Sequence, residues 1–198
     1  RPIYEDSPGF RPSGWLQGFK RAVIPINEGH FIVADTFRVR DDKPSARVEE
    51  YWHARQHPEP PEPAGCTYSL RHVDLEQITD GTITLRPRCS SLIAARGTSA
   101  ESIGQIHGAA MNPGQFLVDD SPVIFTNQIG QTEMFARARW VPDDPVTEDV
   151  RVFVLSAAPS QDALPQVTIT PRQCDAELCF DVTAAGYLYT LSFYNGND

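Results

Sequence analysis

Hydrophobic and polar residues alternate along several short stretches of this chain, as they do in strands that bury one face. In residues 132–140, one side of the predicted strand is apolar and the other carries Arg137 and Arg139. Residues 150–155 and 187–193 are dense in β-branched and aromatic side chains, which favour strands. No segment keeps the apolar spacing of an amphipathic helix. The pattern therefore predicts an all-β chain.

Turn residues separate these stretches and set the expected architecture. An Asp80-Gly81 pair between two strand-like runs is typical of a tight hairpin. The 17 prolines and 13 glycines lie mostly between the other runs. We expect an antiparallel β-sandwich of roughly a dozen short strands, with residues 1–198 in a single domain. Residues 57–65 contain four prolines, and we expect a rigid surface loop there rather than a domain linker.

Charge and hydropathy exclude several classes of partner. The net charge is −9, and an acidic chain binds phosphate backbones poorly, so no nucleic-acid partner is expected. No apolar run approaches the length of about 18 residues that a membrane span needs. The first residues are polar, so we expect the sequence to begin after processing or within a longer precursor. The basic residues are 15 arginines and two lysines, which reflects either genomic composition or contacts with carboxylates.

The four cysteines form two pairs in the sequence. Cys174 and Cys179 flank a short loop between two predicted strands, and Cys66 and Cys89 flank the segment with the Asp-Gly hairpin. An even count favours two disulfides and an oxidising compartment, so we expect a secreted or periplasmic protein. A zinc site, for which the C-x2-C spacing is missing, and four reduced thiols are the alternatives.

Motifs of common enzyme classes are absent from the sequence, including the nucleophile elbow, the phosphate-binding loop and the dinucleotide-binding glycine motif. His53 and His57 have a spacing that brings ligands together on a helix, but they lie at a strand end and at the start of the proline-rich loop. We therefore expect no metal site and no cofactor.

Three consecutive predicted strands carry the most specific signal: Gly18–Pro25 with its Arg-Ala-Val sequence, His30–Val39, and Glu49–His53 with its Tyr-Trp-His ending. This order resembles the C-terminal β-sandwich of heparinase II/III-like polysaccharide lyases. The resemblance implies the distal part of a larger secreted lyase, with an acidic polysaccharide as substrate and a helical toroid from the same precursor as partner. The upstream histidine strand and the His-Asn motif usual in such lyases are missing before Gly18, so the chain alone is expected to be inactive.

The resemblance also implies candidate site residues. β-Elimination of a uronic-acid sugar needs a base for the proton α to the carboxylate, a group that neutralises the carboxylate, and an acid for the leaving oxygen. Tyr51 and His53 share one strand face, and His53 is similar to the sandwich histidine that meets the helical domain across the cleft. Arg137 and Arg139 are candidates for binding carboxylates, and Trp15 for stacking on sugar rings. The alternatives are a hydrogen-bonded structural histidine and arginine stems that cover a polar face.

Two predictions concern the core. Asp35 lies among apolar neighbours and needs a partner, which Arg21 on the adjacent strand would supply. Trp52 and Trp140 are expected to pack in the interior rather than bind sugar.

Two other function classes remain open. The first is a non-catalytic structural subunit of a fibre, coat or surface layer, which would self-associate through strand edges with residues 1–10 or 186–193 as the exchanged segments. The second is a carbohydrate-binding module, which requires an exposed aromatic platform such as Trp15.

Overall fold

A computed structural model describes residues 14–27, 29–56, 73–87, 103–121, 123–126, 130, 132–175 and 177–193. In these ranges the chain forms 13 β-strands and one short 3₁₀ helix, Gln161–Ala163, with no α-helix. The all-β prediction is confirmed. The strands are β1 Leu16–Asn27, β2 His30–Val39, β3 Glu50–Gln56, β4 Val73–Thr79, β5 Thr82–Pro87, β6 Ile103–Ala110, β7 Gly114–Val118, β8 Val123–Thr126, β9 Thr132–Pro142, β10 Glu148–Ala158, β11 Thr168–Cys174, β12 Glu177–Ala184 and β13 Tyr187–Phe193.

The strands form three antiparallel sheets. A six-stranded central sheet has the order β1-β2-β10-β6-β5-β4, and its β4–β5 pair is the predicted Asp80-Gly81 hairpin. A four-stranded sheet has the order β3-β9-β7, with β8 also paired to β9. A three-stranded sheet consists of β11, β12 and β13. No helix in the part of the chain described is long and apolar enough to cross a membrane.

The central sheet is buried on both faces, which gives the fold three layers. Ile32 of β2 belongs to a hydrophobic cluster that includes Phe180 of the three-stranded sheet. Its neighbour Val33 points the opposite way, into a cluster with Phe116 and Trp140 of the four-stranded sheet. Successive side chains of a strand alternate between faces, so one strand contributes to both cores. Each large apolar side chain buried there contributes about 1.5–3 kcal/mol.

The four-stranded sheet packs on the central sheet through its inner face, so its outer face is turned away from the core. Trp140 is 2% exposed and contacts Phe153 edge-on at 5.7 Å between ring centroids, while Trp52 approaches the same ring at 5.1 Å. The predicted interior positions of both tryptophans are confirmed. A Cβ atom at Gly108 would lie 2.9 Å from Phe153 and from Trp140, so the absence of a side chain lets these rings pack onto β6.

Hydrogen bonds from the Arg21 guanidinium join the central sheet to β3. Arg21 donates from Nε and Nη2 to the buried Asp35 carboxylate at 2.7 and 2.5 Å, which confirms the predicted pair. The same Nη2 atom donates to Glu50 Oε1 at 2.6 Å. Burial, and then the hydrogen bond with the Asp35 carboxyl and its charge, raise the pKa of Glu50 to about 8. One guanidinium thus holds two carboxyl groups from different sheets.

The disulfide prediction is confirmed for one pair. Cys174 and Cys179 are bonded across the turn between β11 and β12. Cys66, Cys89, the proline-rich residues 57–65 and residues 1–10 lie outside the described residues.

Candidate functional site

The pairing of β3 with β9 brings four of the predicted site residues together. Tyr51 is in register with Arg139, and His53 with Arg137. In-register residues of an antiparallel pair lie side by side on the same face. Because Trp52, Ala138 and Trp140 fill the inner face, these four side chains lie on the outer face of the four-stranded sheet. We call this patch the outer site.

Glu49 joins two members of the outer site. The Tyr51 hydroxyl donates to Glu49 Oε2 at 2.7 Å, and Arg139 donates from Nη1 to the same oxygen at 3.1 Å. The hydrogen bond from Tyr51, and then that from Arg139, lower the pKa of the Glu49 carboxyl. The hydrogen bond to this carboxylate, with burial and its negative charge, raises the pKa of Tyr51. Tyr51 therefore holds its proton at neutral pH.

Asp119 holds both arginines from the other side. It follows β7, its backbone N–H donates to the Arg137 carbonyl at 2.9 Å, and its carboxylate accepts from Nε of Arg137 and, at 2.9 Å, from Nε of Arg139. Beside these contacts the strand next to β9 is interrupted between β7 and β8. The interruption leaves an open depression of about 520 Å³, lined by Val118, Asp119, Asp120, Ser121, Val123, Arg137 and Arg139.

His53 is an exposed imidazole next to a positive charge. Partial burial and then the charge of Arg137 lower its pKa, and the charge of Asp119 opposes this only in part. The imidazole is therefore neutral at pH 7 and able to accept a proton. Its ring stacks with that of Tyr51 at 6.3 Å and meets Phe125 and Phe135 edge-on at 5.9 and 6.1 Å.

Arg137 completes the arrangement. Its Cζ atom lies 5.1 Å from the centroid of the Tyr51 ring, a cation–π contact. Asp119 accepts a hydrogen bond from Nε of Arg137. Within the described ranges, the terminal nitrogens Nη1 and Nη2 make no hydrogen bond. A proton acceptor, a proton donor and a guanidinium whose terminal nitrogens have no hydrogen-bond partner among the described residues thus share one surface. This combination is chemically suited to removing a proton next to a carboxylate.

Trp15 lies elsewhere. It precedes β1 at the edge of the central sheet, where its carbonyl accepts from the Arg40 amide at 2.7 Å and its ring lies 6.0 Å from Lys43 Nζ. Trp15 is 46% exposed, as expected, but its contacts within the described ranges do not include the outer site. Among the residues that the structure describes, no three His, Cys, Asp or Glu side chains are grouped to hold a metal ion.

Sequence reasoning missed Glu49, Asp119 and Phe125. Glu49 was within reach of the pattern, because it lies two residues before Tyr51 and so on the same strand face. Asp119 gives no local signal, since its contact with the arginines depends on the pairing of β7 with β9. Phe125 likewise gives no local signal, because its contact with His53 depends on the pairing of β8 with β9.

Comparison with solved structures gives a consistent fold likeness. The chain is similar to a heparinase III gene product, with 12% identity and a TM-score of 0.51, and to its methylated-lysine form, with 10% identity and a TM-score of 0.53. It is also similar to a mutant of the heparan sulfate lyase HepC from Pedobacter heparinus, with 13% identity and a TM-score of 0.54. The matches cover 88%, 88% and 90% of this chain.

These similarities concern only part of the lyases. The chain spans 24%, 23% and 24% of the three solved chains, in the same order. No protein-family model matches the sequence. No curated protein matches it either. At identities of 10–13%, the likeness shows that the chain shares the fold of one region of these polysaccharide lyases.

Proposed function

We propose that the chain is the distal β-sandwich of a secreted polysaccharide lyase and lines the groove in which a uronic-acid-containing polysaccharide undergoes β-elimination. The observation that carries this proposal is the shared outer face of Tyr51, His53, Arg137 and Arg139. The fold likeness to part of heparinase III supports it, and the Cys174–Cys179 disulfide supports export.

The electrostatics of the outer site suggest a role for each residue. The terminal nitrogens of Arg137 bind the uronate carboxylate and stabilise the charge that develops as the adjacent C–H bond breaks. The neutral His53 imidazole takes the C5 proton, and the electron pair of that bond forms the C4=C5 double bond. The C4–O bond breaks, and the leaving oxygen takes the Tyr51 proton. Transfer of a proton from the imidazolium to the Tyr51 phenolate, through solvent, restores both groups.

The resemblance implies that further catalytic groups come from a helical domain, so a lone chain should not turn over. The test starts with native mass spectrometry of the protein from its source, followed by denaturing analysis of the same sample. We expect a second, mostly helical polypeptide or segment of the same precursor to accompany this chain. The assembly should then release unsaturated uronate products, detected by ultraviolet absorbance, and His53→Ala should abolish the release. A homopolymer without such products would overturn the proposal.

The edge of the central sheet favours a second candidate, a self-assembling structural subunit. β1 is 12 residues long, lies at one end of the strand order, and exposes Phe19, Val23 and Ile24 at 53%, 58% and 39%. A long apolar edge strand is a template for pairing with another chain. β13, which contains most of the predicted exchange segment 186–193, is also an edge strand, in the three-stranded sheet. Sedimentation of the purified chain over a concentration series distinguishes a self-assembling subunit from a monomer.

A further inference from the structure

Aromatic rings extend the outer site along β9 beyond His53. Phe125 of β8 and Phe135 of β9 meet edge-on at 5.6 Å between centroids, and both contact the His53 ring. Phe125 is 48% exposed and Tyr51 is 47% exposed. We call Phe125, Phe135 and His53 the aromatic platform. Patches that include exposed aromatic side chains are common at interaction sites.

The aromatic platform and the two arginines of the outer site lie in a row along β9. Outer-face residues of β9 follow one another in the order Arg139, Arg137, Phe135, and four residues of strand span about 14 Å. Tyr51 and Arg139 are in register at one end, His53 and Arg137 are next, and the pair of phenylalanines comes last. A linear polymer that lies along β9 would meet these three positions in succession.

The chemistry of the surface favours a sugar over an apolar protein partner. The C–H faces of a pyranose ring pack on aromatic faces, while its hydroxyl and carboxylate groups satisfy neighbouring donors. Covering the same surface with an apolar chain would bury the terminal nitrogens of Arg137, which make no hydrogen bond within the described residues, at a desolvation cost. An acidic saccharide satisfies both parts of the surface.

We propose that Phe125, supported by His53 and Phe135, is a stacking subsite for the sugar unit adjacent to the reacting uronate. This inference rests on the proposed function and assigns the stacking role to Phe125 rather than to Trp15. The occupant is a pyranose unit of a uronate-containing polysaccharide, with its carboxylate-bearing neighbour on Arg137. Phe125 is a binding residue and takes no part in proton transfer.

The test measures binding of an unsulfated uronate-containing hexasaccharide to the chain by calorimetry. Phe125→Ala should weaken binding about 2- to 10-fold, the effect of losing one aromatic contact. Phe125→Trp should retain affinity. Ile124→Ala is the matched control, because Ile124 is the adjacent residue of the same strand, points to the opposite face and is 62% exposed. It should bind as the unchanged chain does.

The outcomes separate this inference from the proposed function. If Arg137→Gln weakens binding while Phe125→Ala binds as well as Ile124→Ala, the subsite is wrong and the proposed function stands. If the unchanged chain does not bind the hexasaccharide, the subsite is wrong, whereas the proposed function is overturned only by the absence of unsaturated products from the assembly. If neither substitution alters binding, the outer site is not the binding surface and both are wrong. If Phe125→Ala dissociates an oligomer in sedimentation, without altering binding, the aromatic platform is a contact between chains and the subsite is overturned.

Discussion

The Tyr51 hydroxyl lies 2.7 Å from the Glu49 carboxylate and donates its proton to it in a hydrogen bond. The two residues are two positions apart on one strand face, so the sequence itself fixes their proximity. The carboxylate stabilises the protonated phenol and disfavours the phenolate. In the proposed chemistry Tyr51 is therefore the acid, because its pKa is raised. His53 is the base, because its pKa is lowered and its imidazole is neutral.

Replacing the charge of Glu49 should make Tyr51 more acidic. Glu49→Gln keeps a hydrogen-bond acceptor but removes the negative charge, so the pKa of Tyr51 should fall towards its ordinary value. Alkaline titration followed by phenolate absorbance measures it, and the transition that Tyr51→Phe removes identifies the residue. Tyr187→Phe provides the control for a tyrosine outside the outer site. An unchanged Tyr51 transition in Glu49→Gln would show that the carboxylate does not hold the proton.

Two substitutions should move the pKa of His53 in opposite directions. Arg137→Gln removes the adjacent positive charge and should raise it, whereas Asp119→Asn removes an attractive negative charge and should lower it further. Proton NMR of the imidazole ring over a pH series measures both. His107, which hydrogen-bonds Thr82 and Gln105 in the central sheet, is the internal reference and should not shift. Shifts of the same sign in the two variants would contradict this electrostatic account.

Glu50 should make the protein less stable as the pH rises. Its pKa is about 8 in the folded chain and 4.5 ordinarily, so between these values the folded state binds a proton that the unfolded state has released. The stabilisation is fully present below pH 4.5 and is lost as the pH rises through about 8. Glu50→Gln, which mimics the protonated carboxyl, should flatten this dependence. Urea unfolding at pH 5 and pH 8 measures the difference, and equal pH dependence in the two proteins would contradict it.

Removing the Arg21 guanidinium, which hydrogen-bonds carboxyl groups of two sheets, should destabilise the folded chain. Arg21→Met leaves the Asp35 carboxylate, 1% exposed, without its bidentate partner. The free energy of unfolding should fall by about 2–4 kcal/mol, less than for a pair buried on both sides because Arg21 is itself half-exposed. Arg38→Met is the matched control, since Arg38 pairs with Asp41 in solvent and should contribute about 0–1 kcal/mol. Equal losses in urea unfolding would show that the Arg21 hydrogen bonds add nothing.

The strands could be predicted because their signals are local. Alternation in β9 assigned Trp140 to the core and Arg137 to the outer face, and the Asp80-Gly81 pair located the β4–β5 hairpin. The third layer could not be predicted, because the apolar neighbours Ile32 and Val33 show that both faces of β2 are buried but not which sheets cover them. The same limit applies to the outer site. Tyr51 and His53 share a strand, but the contact of His53 with Phe125 depends on long-range pairing, as does the position of Asp119 beside the two arginines.

The most direct test of the central claim is NMR mapping of an unsulfated uronate-containing hexasaccharide on the isotope-labelled chain. The outer face of the four-stranded sheet should bind it, so the largest shift changes should fall on Tyr51, His53, Arg137 and Arg139. Trp15 should remain unaffected. Changes confined to the region around Trp15 or to the β1 edge, or no changes at saturating oligosaccharide, would contradict the assignment of this face as the polysaccharide-binding surface.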